Sequence, residues 1–403
     1  MNEKQLEEKL SLLDQLQSAC THCGLCSEAC ATFQSTGWEH ESPRGRLQLA
    51  NRFLHGNIQL KSDALSTFDR CLGCQACESL CPQKVSYHQV RQIIQDIRRD
   101  LKLHPSTEMT SHLYQQWMTL AYRVSNIRWR HYGAKWLKVP SLKCKSLGSY
   151  TRQHRKGGCS GQPILAVCCV QDLFQHEAIS QALAFTRLLG ENLDLDRHQP
   201  CCGAIFERLV HGGEESLCYP KQQQKIADLQ NKTHQSFLKW MPKRLYFLSK
   251  GCQCHLSKGE DQTVDFYAWI ESLLIQKNII LHFSEPRTVY YQPYCRSLKG
   301  ADDSIWRLLH RIKGLTIREI TSAQSCCGGY CGEALLHPES SQKIVKHKIY
   351  YLPQKATLIV TSPDCWGSFK NYEGNNELKI CYPVQILMEA SITHLTQHGV
   401  HLN

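Results

Sequence analysis

The sequence predicts an α-helical domain built on two four-cysteine motifs, followed by a duplicated α/β cysteine-rich domain. Three observations carry this. The spacing C-x2-C-x2-C-x3-C occurs at Cys20, Cys23, Cys26 and Cys30, and again at Cys71, Cys74, Cys77 and Cys81. Helical periodicity dominates the residues around both motifs. Farther on, an alternation of apolar runs and amphipathic stretches occurs twice, and each copy holds adjacent cysteines before a glycine, Cys201-Cys202-Gly203 and Cys326-Cys327-Gly328. At 403 residues the chain can fill several domains, each with its own core. The expected divisions are 1–105, 106–162, 163–280 and 281–403.

The doubled spacing is that of the two-cluster bacterial ferredoxin run. Three thiolates at C-x2-C-x2-C wrap a tight turn around three corners of a cubane, and the fourth cysteine, three residues on, faces the other cluster. This assigns Cys20, Cys23, Cys26 and Cys81 to one [4Fe–4S] cluster, and Cys71, Cys74, Cys77 and Cys30 to the other. Structural zinc usually takes two separated pairs of ligands, and a disulfide framework belongs to short secreted chains. Ala31 stands where the second motif has Pro82, a residue that shapes the turn without donating a ligand.

Local signals fill in the elements. Met1 to Leu16 is a charged, helix-like stretch without the apolar segment of a secretory signal. Ser42-Pro43 reads as an N-cap followed by proline at N1, Gly56 as the residue past the helix end, and Leu47, Ala50 and Leu54 repeat between them. After the second motif Val90, Ile93, Ile94, Ile97 and Leu101 repeat likewise. A mostly helical connection between Cys30 and Cys71 suggests a helical ferredoxin domain over 1–105 rather than the small-ferredoxin sandwich.

From Met109 to Gln171 there is no acidic residue, while cations such as Arg128, Arg130, Lys135 and Lys138 interleave with Trp117, Trp129 and Trp136. One reading is an amphipathic segment lying on anionic lipid; the other is a solvated linker whose aromatics pack on a neighbouring core. The formal net charge of +11 remains positive even when two clusters, at about −2 each with their thiolates, are counted.

In the first α/β copy, Ile164 to Val170 reads as an apolar run through Cys168-Cys169, then a helix carries Ile179, Leu183 and Leu188, and a strand at Leu245 to Leu248 leads to Cys252. In the second, a strand at Thr288 to Tyr291 leads to Cys295. A helix with Ile305, Leu308, Leu309 and Ile312 follows, then strands at Leu315 to Ile320 and Thr357 to Thr361, the last leading to Cys365. Cys169 to Cys201 spans 32 positions and Cys295 to Cys326 spans 31. Alternating strand and helix predicts parallel sheets, whose ligands gather at strand carboxyl ends. Cys169, Cys201, Cys202, Cys252, Cys295, Cys326, Cys327 and Cys365 therefore form a candidate additional metal or cluster site, or a redox-active surface; packing at strand ends is the plain alternative.

Other chemistry is excluded by what the chain lacks. No two glycines stand at i and i+2, so there is no G-x-G-x-x-G, and neither a Walker A loop nor H-E-x-x-H occurs. No catalytic nucleophile or general base can be named. The 23 cysteines without a signal indicate a reducing compartment, so a cytoplasmic protein is expected, peripheral at the cytoplasmic membrane face if the basic segment binds lipid.

These motifs, with SPRGRLQL at 42–49, VSYH at 85–88, CVQ at 169–171, PCCGA at 200–204, SKGC at 249–252, SCCGG at 325–329 and SPDC at 362–365, resemble the iron–sulfur subunit of glycolate oxidase. That group is similar to the iron–sulfur subunit of anaerobic glycerol-3-phosphate dehydrogenase and to the cysteine-rich (CCG) subunits of heterodisulfide reductase. The resemblance implies an electron-transfer subunit of an oxidoreductase. A separate flavin subunit, holding the FAD, would oxidise a 2-hydroxy acid, and two [4Fe–4S] clusters here would pass electrons to a membrane quinone or similar acceptor. The full CCG pattern ends in C-x-x-C, which neither Cys252-Gln253-Cys254 nor Cys365-Trp366-Gly367-Ser368 completes, so a non-cubane cluster is not expected. The alternatives are an iron–sulfur subunit serving glycerol 3-phosphate or D-lactate, and a cluster-containing sensor or nucleic-acid-binding protein. Two cluster motifs favour transfer over sensing.

Overall fold

The computed structural model of the chain describes residues 3–59, 63–100, 155–156, 163–196, 199–203, 228, 231–239, 244–256, 263–295, 303–323, 325–329, 338–370, 372 and 378–397. The basic aromatic stretch lies outside them except for its last part and the pair Arg155–Lys156. Two units emerge. The first takes 1–119, 205–231 and 321–350, and the second takes 120–204, 232–320 and 351–403.

The first unit is helical. Helix α1 spans Glu3–Ser18, α2 Ala31–Thr36, α3 Pro43–Leu54, α4 Ala76–Ser79 and α5 Tyr87–Asp100. The start of α3 is fixed by the expected chemistry: the Ser42 hydroxyl accepts the Gly45 N–H at 2.8 Å, and Pro43 occupies the first turn, where no donor is missed. Gly56 follows the helix at φ 72°, conformationally free where an L-residue would be strained. Gly45 is required by close approach, since a Cβ there would stand 1.9 Å from the Glu39 carbonyl oxygen. Leu13 from α1, Leu47 and Ala50 from α3, Phe68, and Val90, Ile94 and Ile97 from α5 close one apolar core. Removing this surface from water is the main driving force for the unit. Buried charges are paired within it: Arg98 lies 3.2 Å from Asp69.

Among its described residues the second unit holds two larger parallel sheets, of three and four strands, beside a two-stranded parallel pair. In the first, strands β2 (Ile164–Ala166), β4 (Leu245–Phe247) and β5 (Thr263–Asp265) run in the order β2-β4-β5. On the far side of β2, Asp194 bridges to Ile164, just before β3 (Leu195–Asp196), which pairs with the short β1 (Arg155–Lys156). In the second sheet β6 (His282–Gln292), β7 (Lys313–Glu319), β8 (Thr357–Val360) and β9 (Lys379–Cys381) run β7-β6-β8-β9. With the Asp194 bridge counted and β1 set aside, the order β3-β2-β4-β5 matches β7-β6-β8-β9. The strands β2, β4 and β8 are buried along their length, as continuous apolar runs in parallel sheets require.

Helices α6 (Cys169–Phe174) and α7 (His176–Leu188) follow β2, and α8 (Lys250–Leu256) and α9 (Phe266–Gln276) follow β4 and β5. Helices α10 (Ser304–His310), α12 (Pro363–Lys370) and α13 (Pro383–Gln397) follow β6, β8 and β9, while α11 (Pro338–Ile349) belongs to the first unit and packs on α2. Packing between the two sheets' helices is reciprocal: α9 meets α10, and α13 meets α7. Asp265 caps α9 and Asp303 caps α10, each accepting backbone N–H groups.

Candidate metal centres

Both C-x2-C-x2-C turns fold the same way. His22 and Gly24 flank Cys23 at φ 55° and 85°; Gly73 and Gln75 flank Cys74 at 67° and 59°. Each turn thus uses two left-handed residues with glycine and side-chain positions exchanged, a conformation in which only glycine is free of strain. The first of each pair donates its N–H to the opening cysteine, His22 to Cys20 Sγ at 3.4 Å and Gly73 to Cys71 Sγ at 3.5 Å.

Two open-sided cavities result. One is lined by Cys30, Cys71, Cys74 and Cys77 with Arg46 and Arg91. The other is lined by Cys20, Cys23, Cys26 and Cys81, with Arg44, and Cys77 backs onto it as well. Each cavity therefore collects three thiols of one motif and the last thiol of the other. All eight are free thiols. Burial pushes the Cys26 thiol up to about 11, opposed by the Arg44 backbone N–H, and it raises Cys30 and Cys77 as well. Thiols in fours, Cys77 buried, Cys23 exposed and the rest half-buried, with N–H groups aimed at sulfur and guanidinium groups beside them, fit a metal–sulfur cluster that carries net negative charge.

Surrounding residues fix the thiols. Cys30 Sγ lies 3.2 Å from Thr32 Oγ1 and 3.4 Å from the Glu41 carbonyl oxygen. The Val85 N–H donates to Cys81 Sγ at 3.4 Å. Arg46 is fully buried: it donates to the Thr67 carbonyl at 2.8 Å and pairs with Glu41 at 2.6 Å. Glu41 also binds Arg70, 2.5 Å away.

A second group of sulfurs lies in the second unit. Cys168, Cys169, Cys201, Cys202 and Cys252 are joined by side-chain hydrogen bonds, with Cys169 and Cys201 Sγ atoms 3.6 Å apart. Hydrogen bonds from Cys169 and Cys252, and backbone N–H groups of Val170 and Gln171, hold Cys168 well below the usual thiol range. Its neighbours Cys169 and Cys252 are pushed up by their side-chain hydrogen bonds within the cluster and by burial. Cys168 was missing from the candidate set drawn from the sequence; its adjacency to Cys169 was the available signal.

Local folding explains the gathering. The run β2 ends at Ala166, Cys168 caps α6, and Gln199 brings the Cys201-Cys202 loop against the strand end by bonding both backbone groups of Val167. Gly251 and Cys252 open α8 directly after β4. In the second sheet Cys295 and Cys365 are buried just past β6 and in α12 just past β8. Cys326 and Cys327 are buried in the first unit. Cys168 and Cys365 both bear on the Tyr382 hydroxyl, whose pKa burial raises well above its usual value.

Residues 17–85, which carry the thiols of both cavities, match a family model described as a 4Fe-4S dicluster domain. The chain also resembles glycolate oxidase iron–sulfur subunits. It is 25% identical to the probable glycolate oxidase iron–sulfur subunit of Bacillus subtilis (strain 168), over 92% of this chain and 93% of that protein. It is 44% identical to the glycolate oxidase iron–sulfur subunit of Escherichia coli (strain K12), over 21% of this chain and 20% of that protein. Lactate utilization protein A of Bacillus licheniformis is 21% identical over 55% of this chain and 97% of its own length. No solved structure matches. Among the described residues no helix is long and apolar enough to cross a membrane.

Proposed function

We propose that this chain is the iron–sulfur electron-transfer subunit of a flavin-dependent 2-hydroxy-acid dehydrogenase complex of the glycolate type. The observation that carries it is the pair of four-thiol cavities within one helical domain. Cys20, Cys23, Cys26 and Cys81 would hold one [4Fe–4S] cluster and Cys71, Cys74, Cys77 and Cys30 the other. Such clusters supply one-electron transfer, with potentials set by hydrogen bonds, charge and burial. The chain's own residues bind and orient: backbone N–H groups of His22, Gly73 and Val85 fix sulfur positions, and the apolar core keeps the helices rigid. Substrate oxidation would fall to a partner holding FAD, and a quinone-type acceptor at a membrane surface would receive the electrons, with the basic Met109–Gln171 segment as the lipid-facing part. A cytoplasmic location accords with the thiol content.

The α/β region is read as a duplicated cysteine-rich domain, 163–280 and 281–403, because the order β3-β2-β4-β5 matches β7-β6-β8-β9 and the helix contacts are reciprocal. The thiols at its strand ends, Cys168 included, are assigned to a further metal or cluster site.

Affinity purification from the native cell, with flavin analysis of what co-purifies, tests the reading. A flavoprotein should accompany the chain, and addition of a 2-hydroxy acid should bleach the iron–sulfur absorption anaerobically. Absence of a flavoprotein, with bleaching only by chemical reductants, overturns it. Reduction by D-lactate in place of glycolate would move the substrate to the class named in the lactate utilization relatives.

A further inference from the structure

Resting on the two-cluster assignment above, we infer that Arg46 is a potential-setting residue: its buried positive charge, held beside Cys30, makes the cluster of Cys30, Cys71, Cys74 and Cys77 easier to reduce than that cavity would otherwise allow.

The two cavities differ in their cations. Beside the first motif's thiols stands Arg44, 37% exposed and paired 2.8 Å from Glu39, which is itself open to water. Solvent screens such a charge. At the other cavity Arg46 is 0% exposed, and its Nη1 donates toward Cys30 Sγ at 4.0 Å. Arg91, also buried, places its guanidinium 3.3 Å from where a Cβ on Gly73 would stand, over the turn between Cys71 and Cys74. A charge at this distance in a low-dielectric interior acts several times more strongly than in water.

Arg46 is only partly neutralised. Its carboxylate partner, Glu41, is divided between Arg46 at 2.6 Å and Arg70 at 2.5 Å. Two guanidinium groups thus share one carboxylate, and the set keeps a net positive charge. Adding an electron to the cluster increases negative charge, so a fixed nearby cation favours the reduced form. Burial of an arginine at this cost is otherwise explained by bracing, since Arg46 also ties Thr67 and the Glu41 carbonyl together. Bracing and charge make different predictions, because Arg46 and Glu41 carry opposite signs within the same brace.

The test is an anaerobic redox titration of the full chain, with both clusters reconstituted, followed by EPR. The affected cluster is the one whose signal Cys30→Ser perturbs. Arg46→Gln should lower its potential by at least the 59 mV that corresponds to a tenfold change in a one-electron equilibrium, and leave the other cluster unchanged. Arg46→Lys, which keeps the charge, should restore most of it. Glu41→Gln should raise it. Should Arg46→Gln not assemble, Arg70→Gln, at a side chain 46% exposed, leaves the buried Glu41 carboxylate wholly to Arg46 and should shift the potential downward by a smaller amount. Shifts of one sign in both Arg46→Gln and Glu41→Gln, or no shift in Arg70→Gln and Glu41→Gln, overturn the inference while leaving two clusters in place. A wild-type protein with no second cluster signal overturns the assignment beneath it.

Discussion

Gln199 grips both backbone groups of Val167: its Oε1 accepts the Val167 N–H at 3.0 Å and its Nε2 donates to the Val167 carbonyl at 2.6 Å. An amide side chain here completes what a neighbouring strand would have supplied at the end of β2. The clamp sets Cys201-Cys202 beside Cys168-Cys169. Gln199→Leu would leave two buried backbone groups unpaired, each costing about 1–3 kcal/mol. Urea unfolding should show that loss, and the reactivity of the Cys168 thiol toward an alkylating reagent should fall as the hydrogen bonds that lower its pKa loosen. Unchanged stability and unchanged reactivity would remove the clamp from the account.

Iron and sulfide analysis addresses the number of centres. Two [4Fe–4S] clusters give about eight of each per chain. If the strand-end thiols also bind metal, anaerobic protein carries more, and the excess disappears in a Cys168→Ser, Cys252→Ser double variant while the eight remain. Stoichiometric zinc without sulfide contradicts the cluster assignment altogether.

What the sequence made legible was mostly local. Ser42, Pro43 and Gly56 announce α3 because capping is decided within a few residues. Val90, Ile93, Ile94 and Ile97 announce α5 by period, and all four are buried. The thiol groups lining the two cavities are legible because C-x3-C places the fourth side chain away from its own turn. Strands β5 and β9 and the helices after them were not placed: each strand is three residues long, and Phe266–Gln276 is apolar on most of its faces, which blurs a 3.6 period. SPRGRLQL gives no hint that Arg46 is buried while Arg44, two residues earlier, stays half-exposed; that follows from the Gly45 approach to Glu39 and from Thr67, 21 residues away. Nor does adjacency say that the pKa is lowered at Cys168 and raised at Cys169.

Asp303 gives a pH prediction. Burial raises its carboxyl pKa, against hydrogen bonds from Tyr291 and from the start of α10. The Tyr291 hydroxyl donates to Asp303 Oδ2 at 2.5 Å. A carboxyl whose folded pKa exceeds its unfolded value, near 3.9, contributes most stability below that value and loses it as pH rises through the folded pKa. Asp303→Asn keeps a capping oxygen and removes the charge. Relative to wild type it should therefore gain stability as pH is raised above about 4, read as a difference in urea midpoints measured at several pH values. A widening loss with rising pH would show that the ionised carboxylate is favoured by Lys250 more than burial disfavours it.

Crossed ligation is the sharpest test of the cluster domain. Cys30 follows the first motif in sequence but lines the cavity of Cys71, Cys74 and Cys77, and Cys81 follows the second motif but lines that of Cys20, Cys23 and Cys26. Cys81→Ser should alter the EPR signal of the cluster held by the first motif, and Cys30→Ser that of the other. Serine can ligate iron weakly, so altered signals are expected before outright loss. Because Cys30 is fixed by Thr32 and by the Glu41 carbonyl, while Cys81 receives the Val85 N–H, Thr32→Val should reproduce a weaker form of the Cys30→Ser effect and leave the Cys81-linked signal alone. If each cysteine substitution disturbs only the cluster of its own motif, the two cavities are filled without crossing, and the charge of Arg46 would then act on a cluster that lacks the sulfur it lies beside.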